Sequence, residues 1–382
     1  MSLDLIAILS LLVSFQLFFI AFFLITFKKG KRLSNWLLGI FFLLLAINVT
    51  DMLLQINEVR SFLPLFLLVD DSFILLFGPL LYLYTKSVVY DSYKMNRKEW
   101  SHFIPFLICF IGLMGIYTLA QGSYESSLGA VAEARVPVGI VVILVLCYLH
   151  GALYLWWSKK LLISYDGFIR QRYSNLNRIN LNWLHFVINS FIVVWLLGLV
   201  LTLTPFTSYK SYLGIPLLGF VLFLFYFINR VILKALNKPE LFSVAEFIGK
   251  KKYSGSGLSE SQRKTYADTL VRKMEAEELF LNPDLSVAEV ADSLNITPKE
   301  LSQTVNQSFD QHFFDFVNSF RIQSAKNLLK DPSNKMTVQE IMYAVGFSSK
   351  SSFNTVFKKS THSTPTQYRE TFRKRAKKGS LS

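Results

Sequence analysis

The chain has 382 residues, room for two or three domains, and 52% of them are hydrophobic with Phe alone numbering 35, too apolar for an ordinary soluble protein. Its formal charge of +14 is unevenly spread: residues 1–236 hold 18 Lys/Arg against 10 Asp/Glu, residues 237–325 sum to −3, and residues 326–382 hold 12 against 3. The only cysteines, Cys109 and Cys147, sit inside apolar runs, which excludes a disulfide framework or a zinc site, and no glycine loop or ligand spacing calls for a phosphate cofactor or a metal.

Seven stretches are long and apolar enough to span a bilayer, which takes about 20 residues. They run Leu5–Phe27, Trp36–Leu54, Phe66–Thr85, Phe103–Leu119, Val136–Trp157, Leu184–Leu203 and Tyr212–Leu233. The first lacks a basic leader and a small-residue cleavage site, so it reads as a span and not as a cleaved signal. Basic residues alternate between the connections. Lys28, Lys29, Lys31 and Arg32 fill the first; Lys86, Lys94, Arg97 and Lys98 the third; Lys159, Lys160, Arg170, Arg172 and Arg178 the fifth. The second, fourth and sixth hold only Arg60, Arg135 and Lys210. Because basic loops stay on the cytoplasmic side, the expected topology is an outside N-terminus, seven spans in the cytoplasmic membrane and a cytoplasmic C-terminal region.

Ionisable and polar groups within spans are candidates for sensing. The pair Asp70 and Asp71 reads either as a counter-ion or proton sensor in the membrane, or as hydrated carboxylates at the outer interface. His150 and His185, with Gln16, Asn48 and Asn189, either line an interior cavity or join helices by hydrogen bonds.

After Leu233 the chain turns polar. Asn237 to Leu258 is a linker whose Lys250–Lys252 run can rest on anionic headgroups. From Ser259 to Leu279 a helical period places Tyr266, Leu270, Val271, Met274 and Leu279 on one face, fit to pack on the following domain or on a second copy. Ser286 and Glu289 form a capping box for a first helix with Val287, Val290, Ala291 and Leu294 inward. After a turn at Asn295-Ile296, Thr297-Pro298 and Glu300 start a second helix. It leaves Lys299, Ser302, Gln303 and Asn306 on its outer face, side chains that hydrogen-bond base edges or phosphates. A helix over Phe313–Leu329, about 25 Å long at 1.5 Å per residue, leads to a second unit. That unit has its own capping box, Thr337 and Glu340, with Ile341 and Ala344 expected on one inward face and a turn at Gly346-Phe347. Its second helix puts Phe353 and Phe357 inward and leaves Lys350, Ser351, Asn354, Thr355 and Lys358 outward, followed by Lys359. Two such helices on one connector can reach successive major-groove turns, about 34 Å apart.

Residues 284–370 resemble the DNA-binding domain of the AraC/XylS family of bacterial transcription regulators. The resemblance rests on both units, on Arg321-Ile322, Ala325 and Leu328-Leu329 of the connector, on Gly346-Phe347, on Phe357-Lys358-Lys359, and on Thr364-Pro365 with Tyr368-Arg369. The family usually has glycine where this chain has Asp310 and His362, residues that tolerate positive φ better than most. The whole layout is similar in plan to membrane-anchored, multi-span members of that family. The resemblance implies promoter DNA as partner, contact with RNA polymerase, and no catalytic role.

The expected fold is all-α. It comprises a seven-helix transmembrane bundle over 1–236 that senses a small-molecule or envelope signal, a linker and amphipathic helix over 237–283, a tandem helix-turn-helix domain over 284–370 and a basic tail over 371–382. Pairing with a second copy stays open. A transporter or intramembrane enzyme carrying a DNA-binding regulatory tail is the other class to weigh, although no internal repeat divides the spans into halves.

Overall fold

The computed structural model describes residues 3–28, 31–56, 72–90, 92–119, 138–177, 179–204, 207–209, 212–237 and 258–379. Among these the regular elements are all helices. The chain divides into two compact units, one formed by Met1–Ile163 with Leu181–Gly249 and the other by Ser164–Asn180 with Lys250–Ser382.

The first unit contains α1 (Leu3–Thr26), α2 (Arg32–Ile56), α3 (Ile74–Val89), a short α4 (Arg97–Trp100), α5 (Ile104–Leu119), the start of α6 (Val138–Arg172), α7 (Asn182–Leu203) and α8 (Gly214–Asn237). Among the described residues five helices are long and apolar enough to cross a membrane: Leu5–Thr26, Arg32–Leu54, Val142–Arg172, Asn182–Leu203 and Gly214–Lys234. The other two expected spans coincide with α3 and α5, which have 16 residues each. That gives about 24 Å, short of a hydrocarbon layer of about 30 Å. The expected third span starts at Phe66, and Asp70, Asp71 and the start of the fifth span at Val136 lie outside the described residues.

Helix α1 shows how apolar the outside of this unit is. Its Val13, Leu17, Ile20 and Leu24 are buried, yet Ile8, Leu11, Phe15, Phe19 and Phe22 on the other side are exposed. A soluble protein does not leave so long an apolar stripe in water. Between α1 and α2 the backbones approach closely at Gly39, where a Cβ would lie 2.7 Å from Ile25 Cγ1. About three turns further along α2, the Ser14 and Thr50 hydroxyls meet at 2.6 Å and join the same two helices.

Helix α6 is longer than expected. The fifth span was expected to end at Trp157, with Lys159 to Arg172 in a loop, but the helix runs unbroken to Arg172. Buried Ser158, Leu162, Tyr165 and Ile169 recur at helical spacing and carry it on, while Lys159 and Lys160 leave from the other side.

The second unit adds to residues 164–180 the helices α9 (Glu260–Ala276), α10 (Val287–Ser293), α11 (Pro298–Phe309), α12 (Phe313–Lys330), α13 (Val338–Ala344), α14 (Lys350–Thr361) and α15 (Pro365–Gly379). Capping boxes open α9 (Ser259, Gln262), α10 (Ser286, Glu289), α11 (Thr297, Glu300) and α13 (Thr337, Glu340). The backbone amides of Thr297 and Thr337 hold the Glu300 and Glu340 carboxyls below the usual carboxylate range. This stabilisation is complete above the ordinary carboxylate pKa and is lost as pH falls through the lowered one.

Two cores share α12. Its Phe313, Phe316 and Val317 pack with Leu270 and Met274 of α9, Val290 and Ala291 of α10, and Leu301 and Val305 of α11. Its Ile322, Ala325 and Leu329 pack with Ile341, Met342, Val345, Phe347, Phe353 and Phe357. Thus α9 is built into the first core. In α13 the buried face is Ile341, Met342 and Val345, and Ala344, expected inward, is exposed. The short helix tilts its bulkier side chains to the core and turns its smallest one to solvent.

The two helix-turn-helix corners use positive φ at Asn295 (52°) and Gly346 (88°). At Gly346 a Cβ would also lie 2.5 Å from the Phe280 carbonyl oxygen and 2.8 Å from that of Leu281. Gly346→Ala is therefore expected to lower the stability of this unit by about 2–3 kcal/mol, from left-handed strain and backbone overlap together, as read by denaturant unfolding. Asp310 (φ 51°) and His362 (φ 56°) cap α11 and α14 in the left-handed region where the resembled family has glycine. Asp310→Gly and His362→Gly should each raise the unfolding free energy read from the same transition by about 0.5 kcal/mol.

Candidate nucleic-acid interface

In each unit the second helix carries a polar stripe opposite its buried face. On α11 the buried positions are Leu301, Thr304 and Val305. Lys299 is exposed, and Ser302, Gln303 and Asn306 are half-exposed on the far side. On α14 the buried positions are Phe353 and Phe357. Lys350, Ser351, Thr355 and Lys358 are exposed and Asn354 is half-exposed. Each stripe is thus presented by a short helix clamped from behind by its own core, and α12 ties the two cores together.

Lys359 differs from its neighbours. It lies next round the helix from the α14 stripe, and its ammonium is 3.2 Å from the Asp315 carboxylate of α12. Asp315 is also approached by Arg170 at 3.9 Å. Lys359 is therefore held toward the connector, while Lys350 and Lys358 are the cations of the stripe.

The structure also reveals a role for Arg321 that the sequence pattern marked without explaining. It is 1% exposed. Its Nε donates to the Phe280 carbonyl at 2.7 Å, and its Nη2 to the Asn282 carbonyl at 2.7 Å and to Ser174 Oγ at 3.2 Å. Its Nη1 donates to Asn318 Oδ1 at 3.2 Å and to the Ser174 carbonyl at 3.3 Å. The guanidinium faces the Phe347 ring at 5.6 Å. Burial pulls its pKa down to about 10, so it stays charged at neutral pH. In the second unit Arg369 makes the corresponding reach, donating to the Met336 carbonyl at 2.6 Å just before α13. No sequence signal could have named Ser174, which lies 147 residues before Arg321, with α7 and α8 of the first unit in between.

In the first unit the polar groups singled out from the sequence mostly tie helices to one another. Lys159 Nζ donates to Asn189 Oδ1 at 2.7 Å and lies 3.5 Å from His185 Nδ1, joining α6 to α7. Asn229 donates to Gln16 at 3.4 Å, joining α8 to α1. His150 packs edge-on against Tyr154, ring centroids 4.8 Å apart. No group of three or more metal-ligating side chains occurs among the described residues.

Residues 290–371 match a family model described as a helix-turn-helix domain, and the C-terminal part of the chain carries a helix-turn-helix domain of AraC type. An uncharacterized HTH-type transcriptional regulator of Staphylococcus aureus (strain COL) is 37% identical over 92 residues, which cover 24% of this chain and 12% of that protein. An uncharacterized HTH-type transcriptional regulator in the cgkA 5' region of Pseudoalteromonas carrageenovora is 33% identical over 89 residues, 23% of this chain and 51% of that one. The likeness therefore covers a minor part of the staphylococcal protein and about half of the other. No solved structure matches the chain.

Salt dependence separates the cations of the α14 stripe from Lys359. Lys350→Ala with Lys358→Ala should reduce the slope of log affinity against log salt by about 2, near 0.9 for each phosphate that is no longer neutralised. Lys359→Ala, which removes a lysine paired with Asp315, should change the slope by well under the 0.9 or so of one phosphate contact, and a change of about 0.9 in a titration of duplex binding would refute this assignment.

Proposed function

We propose that this chain is a membrane-bound one-component transcription regulator. Its C-terminal unit reads promoter DNA, with α11 and α14 each entering the major groove and α12 setting their separation. Lys350, Ser351, Asn354 and Thr355 on α14, and Lys299, Ser302, Gln303 and Asn306 on α11, are the base-reading and phosphate-contacting candidates. The observation that carries this reading is the pair of outward polar stripes, each backed by its own apolar core and both fixed to one connector helix. The relatives named as transcriptional regulators support it.

The apolar unit holds the chain in the cytoplasmic membrane by multiple passes, with the N-terminus outside and the DNA-reading unit in the cytoplasm. The exposed apolar stripe of α1 and the five long apolar helices support this placement. The same unit senses the signal. A signal acts by binding two states of the chain with different affinity, because a ligand with equal affinity for both shifts nothing. RNA polymerase is the partner through which bound protein alters transcription, and no catalytic step is assigned.

The test is genome-wide crosslinking and immunoprecipitation of the intact protein beside a Lys350→Ala/Asn354→Ala variant. Discrete promoter sites are expected for the intact protein, with enrichment reduced at least about tenfold in the variant, since each good base contact is worth about 1–3 kcal/mol. An intact protein that enriches no site under any growth condition would overturn the reading.

A further inference from the structure

The chain between α6 and α7 is not an idle loop. Residues 173–177 lie along the second unit as an extra strand-like segment. Tyr173 and Ser286 form an isolated antiparallel bridge. The Ser174 amide donates to the Leu285 carbonyl at 3.1 Å, and Ser174 Oγ donates to the same oxygen at 2.7 Å. Ser174 is 2% exposed, and its carbonyl and hydroxyl oxygens both accept from the buried Arg321. Beyond it, Asn175 Nδ2 donates to Asp284 Oδ1 at 3.0 Å and to Ser348 Oγ at 2.9 Å. Asn177 Nδ2 donates to the same Ser348 hydroxyl at 3.3 Å. The Asn177 amide donates back to Asn175 Oδ1 at 3.1 Å, which fixes the two side-chain amides as a pair.

The docking points are the informative part. Ser286 is the N-cap of α10 and Ser348 immediately precedes Ser349, the N-cap of α14. In helix-turn-helix proteins the start of the recognition helix reaches base edges while the first helix crosses the phosphate backbone, and serines and helix-start amides make many of the backbone contacts. The segment therefore touches both units at the ends that a duplex would approach. It does so with neutral amides that occupy the Ser348 hydroxyl, and the neighbouring Arg170 shares Asp315 with Lys359, one at each carboxylate oxygen.

From this we infer that residues 175–177 are an autoinhibitory segment anchored at the buried Ser174: docked on Asp284 and Ser348, they cover the approach to α10 and α14, and DNA binding requires that they swing away while Ser174 stays with Arg321. The proposal rests on the DNA-reading function above and names its regulation. It also supplies the route for the signal. The segment is joined directly to α6, a single unbroken helix from Val138 to Arg172, and five residues on to α7 at Asn182. A change in either helix is delivered to the segment through the backbone itself, without a diffusible messenger. The polar, solvent-edge character of the Asn175 and Asn177 contacts suits a reversible latch, because each hydrogen bond is exchanged for one with water on release.

The test uses the full chain in lipid nanodiscs and a pool of random-sequence duplexes. Two release variants are compared with the unaltered protein. Asn175→Ala/Asn177→Ala removes the amides, and Asn175→Asp places a second carboxylate beside Asp284. Neither Asn175 nor Asn177 is buried, so both variants are expected to fold. Both should bind duplex about tenfold more tightly, equivalent to about 1.4 kcal/mol of competing hydrogen bonds removed. Hydrogen exchange supplies the second readout: residues 175–177 should be protected in the unaltered protein and lose protection when duplex is bound, while the buried Ser174 amide keeps its protection. If the unaltered protein binds duplex and the release variants bind no more tightly, or if protection of residues 175–177 survives in the complex, the autoinhibitory assignment is overturned while DNA reading stands. If neither the unaltered protein nor either release variant binds any duplex, DNA reading itself fails and the regulation goes with it.

Discussion

The second unit depends on one buried cation. Arg321 sits at the middle of α12, where the helix passes from one apolar core to the other. A guanidinium out of water is strongly unfavourable unless its donors are used. Here they are used mainly by neutral oxygens. Backbone carbonyls of Phe280, Asn282 and Ser174, with Asn318 Oδ1, take its N–H groups, and the Phe347 ring covers one face. The result draws together a turn before α10, the corner after α13 and the chain beyond α6. Arg369 repeats the device on a smaller scale before α13. In both units the helix that follows the second DNA-facing helix reaches back and fixes the backbone leading into the first.

Local signals were largely legible. The capping boxes at Ser286, Thr297 and Thr337 are each defined within four residues, so the sequence displays them in full. The inward residues of α10, α11 and α14 follow from helical spacing, and the left-handed caps at Asp310 and His362 from their place against the family pattern. The misreadings came where a short window carries little information or where charge dominated. A helix of seven residues cannot fix its own rotation, and Ala344 is small enough to face either way. Lys159 to Arg172 look like a basic loop when charges are counted, yet the buried series through Leu162, Tyr165 and Ile169 sustains a helix. The partners of Arg321, and the pairing of Lys359 with Asp315, depend on contacts across the fold, and no local pattern contains them.

The apolar unit obeys a different rule. Its helices bury small polar side chains such as Ser10 and Ser14 beside aromatic ones such as Phe41, Phe42 and Phe227, and still leave large apolar side chains outward, as α1 does with Phe15, Phe19 and Phe22. Hydrogen bonds such as Ser14–Thr50 and Lys159–Asn189 then give the association its specificity. His185 belongs to this framework, beside Lys159, whereas His150 packs against Tyr154 of its own helix.

The sharing of α12 by two cores has a geometric corollary. Each residue of an α-helix advances the axis by about 1.5 Å and turns it by about 100°. The stretch around Arg321 therefore acts as a phase setting: its length in residues fixes not only how far apart α11 and α14 lie but which way each faces around the connector. Adding or deleting a single residue there would swing one reading helix off the side of the duplex that the other occupies. The spacing and the rotational register of α11 and α14 are thus written into the same few turns of helix, and neither can drift in evolution without the other.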